Sequence, residues 1–173
     1  MQTLEAILTR KSCRKFRDRP VEDALVEQVV QAGLYAATGG GKQPWKIVVV
    51  KNPEVMAKLE AMNAAVLGNE GAKPFYGAPM VIVVLTERER TTAVEDGSLV
   101  LGNMMLEAHE LGLGSCWIHR AYEEFETAEG KELLAEWGIE GDYRGVGHLI
   151  MGWPEGELHP DVPRRENTVV WVR

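Results

Sequence analysis

A glycine-rich stretch, Ala36-Ala37-Thr38-Gly39-Gly40-Gly41-Lys42-Gln43-Pro44-Trp45, runs directly into the apolar Lys46-Ile47-Val48-Val49-Val50. The pattern predicts a helix, a loop and then a strand. Glycine lacks a Cβ, so this loop can adopt a positive φ and let a flat ligand approach its backbone. A flexible connection is the plainer interpretation of the loop taken alone. It is not a P-loop, because Gln43 follows Lys42 where that motif has Ser or Thr.

Outward from this stretch, hydrophobic periodicity predicts alternating helices and strands. We expect helices over Thr3 to Thr9, about 22 to 36, about 53 to 67, about 94 to 111, and 128 to 137. We expect strands over about 46 to 51, 78 to 85, 115 to 118, 146 to 153 and 168 to 172, with 119 to 126 as a loop or a single turn. This order predicts one layered α/β or α+β sandwich over residues 1–173, without a second domain.

Two of these elements are expected to be covered on every side. Ala78 to Leu85 shows no alternation of polar and apolar residues, which is typical of a strand buried on both faces. The helix near 94 to 111 is apolar nearly all round, which indicates a helix in the middle of the structure. The helix of about 53 to 67 should begin at Asn52-Pro53-Glu54, which combines an N-cap, a proline and an acid. The stripe on the helix of about 22 to 36 should bury Leu25, Val29, Val30, Gly33 and Leu34.

Composition narrows the class of partner. The 173 residues carry a formal net charge of -7, which argues against nucleic acid or an anionic membrane as the main partner. No apolar run is long enough to span a membrane, and Met1 to Leu8 lacks the features of a signal peptide. Two cysteines are too few for a disulfide framework, so a reducing cytoplasm is the expected location.

A basic cluster near the N-terminus, Arg10-Lys11-Ser12-Cys13-Arg14-Lys15-Phe16, is the second candidate site. Four cations around a hydroxyl group can hold a phosphate, because guanidinium groups present forked donors to phosphate oxygens. A solvated basic turn is an equally good interpretation of these residues alone.

Three separated motifs together resemble the FMN-dependent nitroreductase family. Arg10-Lys11-Ser12-x-Arg14-x-Phe16 is similar to its Arg-Arg-Ser-x-Arg-x-Phe, and the stretch from Ala36 to Trp45 to its Ala-Pro-Ser-x-x-Asn-x-Gln-Pro-Trp. Asn103-Met104-x-Leu106-x-Ala108-x5-Gly114-Ser115-x-Trp117, with Gly152-Trp153-Pro154, resembles its central helix, the following strand and its Gly-Tyr-Pro. The resemblance covers essentially the whole chain.

The resemblance implies an α+β fold, a three-layer α/β/α sandwich whose mixed sheet surrounds a buried helix, in an interlocked homodimer. It implies FMN at the subunit interface, NADH or NADPH as electron donor, and a nitroaromatic, quinone or similar small molecule as acceptor in a ping-pong mechanism. Residues 158–173 would form an arm exchanged with the partner chain. The flavin would carry the chemistry, so no catalytic side chain and no metal are expected.

The resemblance also implies roles for individual residues, which are assigned by their positions in the matching motifs. The resemblance assigns the phosphate and ribityl end to Arg10, Lys11 and Ser12, with Arg164 or Arg165 closing on the phosphate. It places Arg14 near the pyrimidine edge of the ring. The partner chain would line the ring with residues 37 to 41 and Gln43, among them Ala37, Thr38, Gly39 and Gly41. The other side of the flavin would face Ile118, His119 and Arg120.

Two departures from the family pattern stand out. The family's Asn is Gly41 here and its Pro is Ala37, so one side-chain hydrogen bond to the ring is missing. Only Thr86 to Ala93 separates the second strand from the central helix, so the substrate face should be open. Two alternatives therefore stay open: a specialised flavin enzyme of the same fold, or a protein that stores or senses FMN without turnover.

Single residues give weaker signals. Cys13 lies among cations that would lower the pKa of its thiol, yet no catalytic role is expected, and Cys116 should be a core thiol. Asn103, on an apolar helix, should be a satisfied buried amide. His119 is interpreted either as a flavin-side residue or as a plain loop histidine, and Asn69 and Lys73 are left unassigned. Metal-ligand spacing is missing from the remaining histidines, His109, His148 and His159.

Overall fold

An antiparallel sheet forms the centre of the fold in a computed structural model that describes residues 2–156, 158 and 162–173. Its strands are β1 (Trp45–Val50), β2 (Met80–Glu87), β3 (Gly114–Ile118) and β4 (Tyr143–Gly152), in the spatial order β1-β2-β4-β3. Every ladder between these strands is antiparallel, with Ile47 opposite Val84 and Val83 opposite His148. The mixed sheet is therefore wrong for the strands described in one chain, whose parallel contact is a single bridge between Ser12 and Ser115.

Helices cover both faces of this sheet, as expected for a three-layer α+β sandwich. They are α1 (Thr3–Thr9), α2 (Asp23–Leu34), α3 (Pro53–Val66), α4 (Ala93–Glu110), α5 (Ala121–Glu126) and α6 (Ala128–Glu136). The cap of α3 is confirmed, because the Asn52 side chain accepts hydrogen bonds from the N–H groups of Glu54 and Val55. The segment 119 to 126, predicted as a loop or a single turn, forms the short helix α5 over Ala121–Glu126, in which Ala121 and Phe125, one turn apart, bury the same face.

Strand β2 divides the core into two clusters. Because side chains alternate along a strand, Ile82 and Val84 pack with α2 and α4 on one face, while Val81 and Val83 pack with α3, α5 and α6 on the other. All of these side chains are fully buried, which confirms the strand predicted without alternation. Gly33 lets α2 approach α4, since a Cβ on it would lie 2.8 Å from Met104 Cγ.

The helix surfaces are less completely covered than the sequence predicts. In α4, Val100, Leu101 and Met104 are fully buried, but Leu99 is 47% exposed, so one side of this helix has no cover from its own chain. In α2 the buried residues are Val26, Val29 and Gly33, whereas Leu34 is 48% exposed. The sequence pattern shows that these positions are apolar, but it does not show that no other part of the same chain buries them.

The C-terminal arm is exposed from Val162 to Arg173. Part of it, including His159, lies outside the described residues. The strand predicted over 168 to 172 does not form within this chain, and its apolar residues from Val169 to Val172 are 69% to 94% exposed. A strand needs a neighbouring edge to satisfy its N–H and C=O groups, and the arm meets none here.

None of the helices among the described residues combines the length and the apolar character needed to cross a membrane. No group of three or more His, Cys, Asp or Glu side chains in that part of the chain is arranged to hold a metal ion.

Candidate functional site

The basic cluster is fixed against the edge of the sheet. Ser12 bridges Ser115 of β3, and the Cys13 N–H donates to the Ser115 carbonyl at 2.8 Å. Beyond it, the Lys15 carbonyl accepts from the Glu155 N–H at 3.0 Å, close to the end of β4. The backbone of this segment thus has a defined position beside β3, which a freely solvated turn would not have.

Arg10, at the end of α1, carries a donor without an acceptor. Its side chain is half-buried, and its Nη1 is buried without a hydrogen-bond partner among the described residues. A buried donor left unpaired is costly, more so when it belongs to a charged group. An anion bound beside Arg10 would supply the missing acceptor, and Lys11 and Ser12, which are also half-buried, adjoin it.

A second loop lies beside the basic cluster. The exposed Arg14 places its guanidinium carbon 5.9 Å from the centre of the Tyr76 ring. Tyr76 adopts a φ of 52°, in the left-handed region that is uncommon for residues other than glycine. The same loop carries Lys73, whose Nζ is 3.6 Å from a carboxylate oxygen of Glu60. Tyr76 of this loop therefore lies beside Arg14, whereas Lys73 is paired with Glu60 of α3.

At the end of β3, the backbone and one side chain, that of His119, are available to a ligand. Ile118 is buried in the core, and His119 is exposed. The Arg120 guanidinium donates from Nε and Nη2 to Asn63 Oδ1 at 3.0 and 2.8 Å, so its charge is directed toward α3. A ligand lying beside this segment would meet its peptide groups, together with the His119 ring.

The glycine loop is anchored rather than flexible. Gly39–Gly41 form a single 3-10 turn, in which the Gly39 N–H donates to Asp96 Oδ1 at 2.8 Å. Thr92 donates to the other oxygen of Asp96 at 2.9 Å, and Arg90 Nη2 donates to the Gly39 carbonyl at 3.3 Å. Asp96 is buried in the first turn of α4, and the sequence analysis did not single it out.

Within one chain, the two candidate regions lie far apart. The glycine loop is fastened to the start of α4 through Asp96, whereas Thr9, next to the basic cluster, lies 2.8 Å from His109 Nε2 near the end of α4. Those two positions are between three and four helical turns apart, or about 20 Å. The loop also leads into β1, while the basic cluster borders β3, at the opposite edge of the sheet.

The structure therefore sorts the expected site residues into three sets. One set borders β3 and contains Arg10, Lys11, Ser12, Arg14, Ile118, His119 and Arg120. The second belongs to the glycine loop and contains Ala37, Thr38, Gly39, Gly41 and Gln43. The third, Arg164 and Arg165, is exposed on the arm.

The two cysteines are buried and free. Burial raises the pKa of the Cys13 thiol, and this effect outweighs the opposing hydrogen bond with the Lys15 backbone. The expectation that neighbouring cations lower this pKa is wrong, and a thiol that stays protonated is a poor nucleophile. Asn103 is satisfied as expected, because its Nδ2 donates to the Ala32 carbonyl at 3.1 Å, although the residue is only half-buried.

Comparison with known proteins adds an independent line of evidence. A family model described as "Nitroreductase family" matches residues 7–153. A "Putative NADH dehydrogenase/NAD(P)H nitroreductase" of Methanothermobacter thermautotrophicus is 32% identical over 126 residues, which cover 68% of this chain and 60% of that relative. The chain thus spans less than two thirds of that relative's length.

Two solved structures share the fold over their whole length. A nitroreductase with bound FMN from Bacteroides fragilis superposes on this chain with a TM-score of 0.91, over 100% of both chains. Its sequence is 22% identical, so this similarity shows the fold alone. A nitroreductase with bound FMN from Desulfitobacterium hafniense superposes with a TM-score of 0.89 at 26% identity, again over 100% of both chains.

Proposed function

Because this chain belongs to the nitroreductase family, we propose that it is an FMN-dependent NAD(P)H oxidoreductase that reduces nitroaromatics, quinones or similar small acceptors. One observation of the structure carries the proposal. The basic cluster is held against β3, with the Nη1 of Arg10 buried and lacking a partner among the described residues. That arrangement fits the phosphate of a bound cofactor, which would supply the acceptor.

The residues present fit FMN. Arg10, Lys11 and Ser12 would hold its phosphate and ribityl end, and Arg164 or Arg165 would add a cation from the arm. Arg14 would lie at the pyrimidine edge, where its charge would favour the reduced, negatively charged ring. The peptide groups of residues 118–120 would lie along the ring. FMN, when bound, supplies hydride and electron transfer, while the protein orients it and adjusts its electronics.

We propose that the site is completed by a second copy of the chain. The glycine loop and the basic cluster are about 20 Å apart along α4, so the two cannot line one flavin ring from the same chain. A two-fold axis across α4 would place the glycine loop of one protomer beside the basic cluster of the other. Apolar side chains exposed on α1, α2 and α4 support such an interface: Leu4, Ile7, Leu8, Leu34 and Leu99.

In this proposal residues 1–173 form one FMN-binding domain. Its arm, residues 158–173, crosses to the partner. Its exposed apolar residues from Val169 to Val172 would then be covered. An interface of this kind is of the obligate class, which exceeds roughly 2,000 Å². Location in the cytoplasm stays a prediction.

We expect ping-pong kinetics. The connection between β2 and α4 is short, so the flavin face would be open to donor and acceptor, and a single site would admit them in turn. Double-reciprocal plots with NADH or NADPH against a nitroaromatic or a quinone should give parallel lines. Intersecting lines would contradict this mechanism, and bound FMN without turnover of any donor and acceptor pair would favour a storage or sensing protein.

Replacing Gly41 by the family's asparagine should strengthen FMN binding. Gly41 has a φ of 68°, which asparagine tolerates better than most residues, and a Cβ there would meet no atom within 4 Å. We expect Gly41→Asn to lower the FMN dissociation constant about fivefold, since a hydrogen bond contributes about 1 kcal/mol. The free energy of unfolding should fall by about 1 kcal/mol, the low end of the cost of placing a residue other than glycine in the left-handed region.

Gly41→Ala is the matched control, because it adds the Cβ at the same φ without the amide. Fluorescence titration with FMN should show no tighter binding for Gly41→Ala. Equal affinities of the two variants would mean that the position does not face the flavin.

A further inference from the structure

A chain of buried polar side chains connects the end of β3 to the middle of the fold. Asn63 of α3, Glu124 of α5 and His148 of β4 are each fully buried. Asn63 Nδ2 donates to Glu124 Oε1, and Glu124 Oε2 lies 2.9 Å from His148 Nε2. Arg120 joins the other end through its two hydrogen bonds to Asn63 Oδ1.

Every donor in this network has an acceptor in a single arrangement, and that arrangement requires an ionised Glu124. Its carboxylate then accepts from the Asn63 amide and from a proton on His148 Nε2. His148 Nδ1 is buried without a partner in the described structure, so a neutral ring with its proton on Nε2 leaves no N–H unpaired. The positive charge of Arg120 and the negative charge of Glu124 are thus linked through one amide.

Asn63 also fixes a peptide group at the candidate site. Its Nδ2 donates to the His119 carbonyl at 2.8 Å. Because a trans peptide points its C=O and N–H in opposite directions, the N–H of Arg120 is turned away from Asn63. In the described residues this N–H donates to no backbone carbonyl, and Arg120 has a φ of 81°.

We infer that Asn63 is a positioning residue, which holds the His119–Arg120 peptide so that the Arg120 N–H is presented to the bound flavin ring. This inference rests on the proposed function. A residue other than glycine stays in the left-handed region only where its surroundings over-determine it, and here the Asn63 amide holds both the carbonyl before Arg120 and its side chain. A fixed N–H is an effective donor to an atom that gains electron density, because it needs no reorganisation.

The test separates positioning from a merely structural role by exchanging donor and acceptor. Asn63→Asp keeps the acceptor for Arg120 but loses both donated bonds, and it sets a second carboxylate beside Glu124. In the double variant Asn63→Asp with Glu124→Gln, the glutamine amide can donate to Asp and accept from His148. The double variant restores one buried carboxylate and every bond except the one to the His119 carbonyl.

We therefore expect the double variant to recover the thermal stability that Asn63→Asp loses. It should not recover the FMN affinity or the rigid Arg120 amide of the natural chain. Its FMN dissociation constant should stay about tenfold weaker than that of the natural chain. Its Arg120 amide should be mobile by NMR, with an order parameter that falls from the rigid value near 0.85 toward 0.6. Asn103→Asp, which removes a different amide's bond to a backbone carbonyl, should leave the Arg120 amide rigid.

Three results would overturn the inference. A double variant that regains FMN affinity and a rigid Arg120 amide together with stability would assign Asn63 a structural role alone. A double variant no more stable than Asn63→Asp would contradict the exchange of donor and acceptor. An Arg120 amide that is already mobile in the natural chain would show that Asn63 fixes nothing. If the natural chain bound no FMN, the proposed function would fail, and the order parameter would still decide whether Asn63 holds this peptide.

Discussion

Deleting residues 158–173 is expected to dissociate the protein into monomers and to release FMN in the same step. Within one chain residues 162–173 of this arm are exposed, with Trp171 at 77% and Val172 at 94%, so removal of the arm costs the isolated fold little. If the arm covers the partner instead, its loss uncovers apolar surface on both chains and removes Arg164 and Arg165 from the site. Size-exclusion chromatography with absorbance at the flavin band measures both effects.

A double variant of the intact chain tests the same expectation without truncation. Val170→Asp combined with Trp171→Asp should weaken the dimer, because two charges would enter an apolar interface. Glu166→Gln is the control, since it lies exposed in the same arm and removes a charge without adding one. A truncated chain that remained dimeric and yellow would show that the arm is dispensable.

Arg10→Ala should weaken FMN binding about tenfold to a hundredfold, with little effect on folding. A charge-assisted hydrogen bond is typically worth roughly 1.5–3 kcal/mol, which corresponds to that range of dissociation constants. Folding should change little because Arg10 Nη1 has no partner to lose in the described structure. Fluorescence quenching gives the affinity, and thermal unfolding of the flavin-free protein gives the stability.

Lys15→Ala is the matched control for Arg10→Ala. Lys15 is exposed in the same segment, and its carbonyl, which the substitution keeps, makes its described contacts. Both variants lower the positive charge by one. Equal losses of affinity would mean that FMN responds to the net charge of the segment rather than to Arg10.

Much of the fold could be predicted because its signals are local. The unbroken apolar run of β2 predicted a strand that is buried on both faces, and Asn52 followed by Pro53 predicted the start of α3. The segment of α5 was predicted only as a loop or a single turn, because a six-residue helix offers too few residues for periodicity. The helix forms where Ala121 and Phe125 can bury one face.

What lies outside one chain could not be assigned from the pattern. The apolar residues Leu34 and Leu99 were expected to be buried, and both are about half exposed. The predicted strand from Thr168 to Val172 has the right composition, yet it finds no sheet edge in its own chain. Periodicity identifies apolar faces, but it does not say whether the same chain or another one covers them.

The candidate site divides in the same way. The motif around Arg10 and Ser12 is continuous in sequence, so it was recognisable and lies along β3. Asn63, Glu124 and His148 were not found as a group, because they lie in three different elements and meet only after folding. An amide among the apolar residues of α3 was the one signal that could have pointed to them.

The measurement that most directly tests the central claim is the visible absorption spectrum of the purified full-length protein, taken before and after addition of FMN. The account predicts a flavin band on the protein as purified or after this addition, with one FMN bound per chain and its fluorescence quenched. A protein that stays colourless after gel filtration and does not quench FMN fluorescence would contradict it.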